Sequence, residues 1–151
     1  MQLSTDGVPL YKSSSVSIWP VYFVILNLAA EIRMKAENII LCGTWVGPTK
    51  PKMNLLLEPI AKYVKQRSLF GEMVKLSEGY IKVWAKIVMG IFDLPAKASV
   101  LIMKQFNGKH GCSVCLHPGR RLRNNACVYL PSTEHSERTH VAIVAAAAAE
   151  A

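Results

Sequence analysis

The segment Tyr80–Ala96, YIKVWAKIVMGIFDLPA, decides how the rest of the chain is read. It follows a Ser77-Glu78-Gly79 turn signal and pairs back on Glu72 to Leu76 as a hairpin. Through Val83, Ala85, Ile87, Val88, Met89, Ile91 and Phe92 it becomes almost wholly apolar. A strand with no polar face is one covered on both sides, so this stretch predicts a central strand. It stops at Asp93. Pro95, whose ring suits the first helical position, then opens a helix running to about Met103.

Working upstream, Leu56, Ile60, Tyr63, Val64 and Arg67 recur at helical spacing and leave Lys62, Lys65 and Gln66 to water. Asn54 is a candidate N-cap, Pro59 offers an alternative start, and Gly71 a stop. Before that helix lie three strand-like pieces. Leu3 to Tyr11 is broken by Asp6-Gly7. Ser17 to Leu28 is dense in Val, Ile, Trp, Tyr and Phe, and Asn38 to Val46 ends at Gly47-Pro48. Glu31 to Lys35 reads as one helical turn. Three strands, a helix, a hairpin with a central strand and a second helix is the order that an RNase H-like mixed α/β sheet flanked by helices requires.

Downstream of Phe106 the composition turns to Gly, Cys, His, Pro and Arg, and after His140 to alanine. The expected organisation is a partial core over residues 1–104, a basic Cys/His element over 105–140 and an Ala-rich tail over 141–151. The abrupt strand-like opening hints at truncation.

The chain of 151 residues carries 18 Lys and Arg against 10 acids, a net charge of +8. From Leu94 to Thr133 there is no acid at all, while Lys97, Lys104, Lys109, Arg120, Arg121 and Arg123 fall there. A one-sign stretch of that length points to phosphate contact with a polyanion such as nucleic acid; the bland reading is a solvated basic loop. The longest apolar run, Ile18 to Ala30, is too short and too interrupted for a spanning helix, so no membrane is expected. Four unevenly spaced cysteines do not make a disulfide scaffold and favour a reducing, intracellular setting.

The only aspartates are Asp6 and Asp93. One lies in the first strand and the other ends the central strand, and in an RNase H-like sheet those strands are neighbours. Side-by-side carboxylates call for a cation, and Mg²⁺ or Mn²⁺ held by oxygen ligands fits phosphodiester chemistry. Each aspartate also has a plainer role: Asp6-Gly7 as a turn in which glycine supplies φ > 0, Asp93 as a helix N-cap.

Cys112-Ser-Val-Cys115, among Gly108, Gly111 and Pro118-Gly119, has the knuckle spacing that aims two thiolates at one Zn²⁺. His117, Cys127, His135 and His140 could complete it, His140 ranking first and Cys127 next; two free thiols in a loop is the alternative. Cys42 and the three tryptophans, Trp19, Trp45 and Trp84, read as core. No phosphate-binding Gly-rich loop, Gly-x-Ser-x-Gly elbow or His-Glu-x-x-His is present.

Several words of the sequence resemble transposases of the CACTA (En/Spm) type, in versions found in animal genomes. They are Ser4-Thr5-Asp6-Gly7 with Ser14-Ser15 and Trp19-Pro20-Val21; Gly47-Pro48 and Lys50-Pro51 with Met53-Asn54; Asp93-Leu94-Pro95-Ala96; and Gln105-Phe106-Asn107-Gly108 leading to Gly111-Cys112 and Cys115-Leu116 with Pro118-Gly119. The resemblance implies an RNase H-like catalytic core with a three-acid metal site that cuts and joins DNA in the nucleus. On it Asp6 and Asp93 match the first two acids, Cys112 and Cys115 the zinc pair, and His140 the later histidine. The third acid has no clear match; Glu150 is a poor one. Ala29-Ala30 stands where relatives tend to have proline, and Cys127 has no counterpart. The implied function is that of a partial transposase, inactive alone, with a non-catalytic DNA-binding module descended from one as the alternative. A third reading is a chain that does not fold stably, because a sheet cut at both ends exposes unpaired edges; self-association is a further expectation.

Overall fold

The computed structural model describes residues 1–12, 15–131 and 134–149; Ser14 and Glu150 lie outside the described residues. The chain forms two units, Met1–Ile91 and Phe92–Ala151.

In the first unit β1 (Gln2–Thr5) and β2 (Val8–Pro9) are separated at Asp6-Gly7, and both pair antiparallel with the same side of β3 (Ser17–Val24). Alternation along β3 buries Trp19, Val21 and Phe23 on one face, which is the period-2 signature of a half-covered strand. After α1 (Ala30–Arg33) and a 3-10 turn at Ala36–Asn38, β4 (Ile39–Gly47) pairs antiparallel along the other side of β3. The register skips from Val21↔Gly43 to Tyr22↔Leu41, which makes Cys42 the extra residue of a β-bulge. Cys42 is half-buried on a bulged edge strand rather than sealed in the core, and burial raises its thiol pKa.

The 18-residue α2 (Met53–Phe70) buries Met53 and Val64, and Ile60 lies over Gly43 of β4. Its cap is Lys52, not Asn54, whose side chain accepts from Leu55 N instead. The helix runs through Pro59, giving up one backbone hydrogen bond, and stops at Gly71 with φ +68°.

The apolar stretch behaves differently from its sequence reading. β5 (Glu72–Leu76) and β6 (Gly79–Val83) form the expected hairpin, but β6 ends at Val83. Residues 84–88 are not in a strand. β7 (Met89–Ile91) then joins the large sheet, parallel to β1, as an exposed three-residue edge. The predicted central strand is therefore two strands in two sheets. An unbroken apolar run says that backbone is strand-like, not which strand it pairs with, and the covering expected on both faces is absent here. Trp45 and Trp84, read as core, are 38% and 56% exposed; of the tryptophans only Trp19, at 4%, is buried.

The second unit begins with α3 (Leu94–Val100), with Pro95 in its first turn. It ends three residues short of expectation, because Ile102 adopts φ +50°, a left-handed conformation costly for a β-branched residue. A small ribbon, β8 (Arg120–Arg121) with β9 (Cys127–Val128), and α4 (His140–Ala149) complete it. No described helix is long and apolar enough to cross a membrane.

One buried polar group stands out. Thr5 is 2% exposed, and among the described residues its hydroxyl has no hydrogen-bond partner. An orphaned buried hydroxyl costs about 1–3 kcal/mol. Thr5→Val, which keeps the shape and removes the oxygen, is expected to raise unfolding stability by about 1 kcal/mol in a urea titration. Lowered stability would show that the hydroxyl has a partner.

Candidate metal and nucleic-acid site

β1 and β7 run parallel with Gln2↔Met89, Leu3↔Gly90 and Ser4↔Ile91 in register. Each aspartate follows in its own chain segment two residues after the last pair, Asp6 after Ser4 and Asp93 after Ile91. Both are exposed. Asp6 Oδ1 accepts from Gly7 N at 2.7 Å. Gly7 is not there for a positive φ: a Cβ on it would stand 2.5 Å from the Trp19 indole, so close approach demands the glycine. Asp93 is the N-cap of α3, its Oδ1 accepting from Ala96 N at 2.7 Å, as one of its two readings expected. Each carboxylate thus has one oxygen occupied by a local backbone N–H.

In the second unit Cys112 and Cys115 bring their sulfurs to 3.4 Å. Two bonds of about 2.3 Å to one tetrahedral ion would set them about 3.8 Å apart, so the pair fits half of a zinc site with little adjustment. Backbone N–H groups, that of Val114 foremost, lower the Cys112 pKa, with Cys115 and the Arg138 charge adding to the effect. Arg138 went unnoticed in the sequence because it lies past the acid-free stretch. Its guanidinium donates to the carbonyls of Cys112 (2.8 Å) and His110 (2.6 Å), and so ties the knuckle to the segment that precedes α4.

That segment meets the knuckle at an isolated antiparallel bridge: Cys115 pairs with Glu137, and Leu116 N donates to Ser136 O. The pairing sets His117 against His135, ring centroids 4.3 Å apart, and His117 against Tyr129 at 5.7 Å. His117 Nδ1 accepts from Gly119 N at 2.8 Å. Gly119, at φ +77°, has no room for a side chain because the Cys127 sulfur and Tyr129 ring lie against it. His140 opens α4 and is exposed. Among the described residues no three His, Cys, Asp or Glu side chains are grouped to hold a metal ion. Cys112 and Cys115 are thus a close pair with no third such side chain grouped with them among the described residues.

The basic residues divide. Lys97 is half-buried and donates to Ser113 Oγ at 3.1 Å. Lys104, Lys109, Arg120, Arg121 and Arg123 are exposed, the arginines on the β8–β9 ribbon. There Asn125, at φ +66°, makes the turn and accepts from Arg121 at 3.0 Å. A two-stranded ribbon tipped with arginines suits the phosphates of a nucleic acid.

No curated protein and no solved structure matches the chain. The family model described as transposase family tnp2 matches residues 1–146, nearly its whole length, and the chain belongs to that family.

Proposed function

We propose that this transposase-family chain is part of the catalytic core of a CACTA-type DNA transposase with an RNase H-like fold. Asp6 and Asp93 are its first two metal-binding acids. The parallel register of β1 with β7 carries this reading, since it lays side by side the strand ends from which both aspartates continue. Divalent ions held by these carboxylates would supply activation of the attacking oxygen of a phosphodiester transfer and stabilisation of the leaving one. The chain's own part is to hold carboxylate oxygens at those two positions, each steadied by a backbone N–H. Arg120, Arg121, Arg123, Lys104 and Lys109, with Lys97, hold the DNA backbone. Cys112, Cys115 and His140 bind Zn²⁺ and brace the element that carries the arginines. With two acids only, Mg²⁺ binding is weak and strand cleavage slight.

The test is a Mn²⁺ titration read by electron paramagnetic resonance, with plasmid nicking alongside. Asp6→Asn and Asp93→Asn keep the backbone hydrogen bonds, since asparagine also caps, but remove the charge. Either substitution is expected to weaken Mn²⁺ binding at least tenfold, about 1.4 kcal/mol. Binding unchanged in Asp6→Asn sinks the metal site. A second reading, a non-catalytic DNA-binding module, draws on the exposed arginine ribbon. It gains if duplex binding is steeply salt-dependent yet indifferent to divalent ions.

A further inference from the structure

We propose that the β5–β6 hairpin is a second DNA-contact element, which grips an unpaired strand through Lys75, Tyr80, Lys82 and Trp84. The ligand class rests on the DNA reading above, but none of the residues assigned there takes part.

The register divides the hairpin into two unlike faces. Val74↔Ile81 and Glu72↔Val83, with Leu76, make one face that is apolar apart from Glu72. Glu72 is tied to Arg67 at 2.7 Å. Lys75↔Tyr80 and Met73↔Lys82 make the other. Trp84 continues it: its indole and the Lys82 stem both lie against Gly71, and Lys82 Nζ sits 5.6 Å from the Trp84 ring centroid. The strand positions of this second face carry no acid. Every strand residue of the hairpin is exposed, Tyr80 to 65%.

Lysines alone would be an ordinary solvated face. Two large aromatic rings held in water beside them are not, because exposed rings of that size forgo the burial that normally places them in a core. Lys75 and Lys82 are diagonal neighbours across the ribbon, about 7–8 Å apart at the backbone, a reach that suits successive phosphates. Tyr80 and Trp84 then offer faces on which bases stack. Base faces are hidden in a duplex and open in a single strand, so the combination of stacking rings and cations selects unpaired DNA.

The experiment measures binding of a fluorescein-labelled oligo-dT and of a duplex of equal length by anisotropy, across a salt series. Trp84→Ala and Tyr80→Ala are each expected to weaken oligo-dT binding about tenfold and leave duplex binding as it was. Lys75→Ala and Lys82→Ala are expected to flatten the single-strand salt slope by about 0.7 each. Tryptophan emission quenched by oligo-dT in the wild type should lose that quenching in Trp84→Ala. Circular dichroism checks folding, and Trp84→Phe, which keeps a ring, is expected to bind nearly as wild type. Aromatic variants that bind oligo-dT like the wild type overturn the proposal, as do variants that lose duplex and single strand equally. The combined Arg120→Ala, Arg121→Ala, Arg123→Ala variant runs in parallel. If it alone abolishes binding, the hairpin assignment fails and the DNA reading stands; if no form binds DNA, both fail.

Discussion

Trp19→Ala is expected to cost the first unit about 3–5 kcal/mol, enough to unfold much of a domain whose whole stability is typically about 5–15 kcal/mol. Trp19 is 4% exposed on the buried alternating face of β3, and its indole N–H donates to Ser17 Oγ at 3.2 Å. The ring also fills the space over Gly7, where a methyl group would collide with it. Gly7→Ala therefore attacks the same contact from the other side and should cost about 1–3 kcal/mol by overpacking. The two changes are not additive. In the Trp19→Ala background the added methyl has a void to enter, so a double-mutant cycle should return a favourable coupling on the order of 1 kcal/mol or more. Urea unfolding followed by circular dichroism measures all four proteins. On the metal-site reading Gly7→Ala should also weaken Mn²⁺ binding, because the Gly7 N–H donates to the Asp6 carboxylate. A loss below about 1 kcal/mol in Trp19→Ala would mean that the β3 face is not the core of this unit.

What the sequence made legible was local. Strand alternation and Gly or Pro punctuation located β1 to β4, the Ser77-Glu78-Gly79 turn located the hairpin, Gly71 ended α2, and the helix that Asp93 opens follows from its cap and Pro95. These signals are written in neighbouring residues. Pairing partners are not. The run from Tyr80 to Phe92 has no internal mark to say that the pairing with β5 stops at Val83 while β7 crosses to β1, a contact closed by residues such as Met1, whose amino group donates to Lys86 O. Nor does apolar character reveal exposure: Trp84 reads like Trp19 until the strand before it is seen to end at Val83, which leaves residue 84 outside any strand. At the cysteines, the two-residue spacing announced the Sγ pair. The approach of His135 to His117 depends on the Cys115–Glu137 bridge, which no spacing rule foretells. Unmarked too was the reason for Gly7, which is the ring of a residue twelve positions away.

If the Zn²⁺ site is built as proposed, removing the metal should have the largest effect of all, and on the second unit alone. Among the described residues its buried apolar side chains are Ala96 and Ala98. Its ribbon has two-residue strands, and α3 is seven residues long. A unit of this size rarely has enough core to fold unaided and needs a staple. A structural zinc site contributes about 10–16 kcal/mol of apparent binding free energy at neutral pH, far more than so small a core can supply. Chelation is thus expected to abolish hydrogen-exchange protection between Phe92 and His140 and leave β1 to β4 protected, with one zinc per chain found by atomic absorption before treatment. Cys112→Ser and Cys115→Ser should each reproduce the chelated state. His140→Ala and Cys127→Ser decide which completes the set. The pH dependence has a definite sign. Cys112 has a lowered pKa in the fold, so its contribution is present at higher pH and is lost as pH falls through that pKa. Zinc binding, which needs thiolates, weakens in the same direction. Acid should therefore loosen the second unit before the first, whose core of Trp19, Val21, Phe23 and Val24 carries no titratable group. A preparation without zinc that keeps full protection from Phe92 onward would leave the Cys112–Cys115 pair as two thiols and return the burden of stability to a core of alanines.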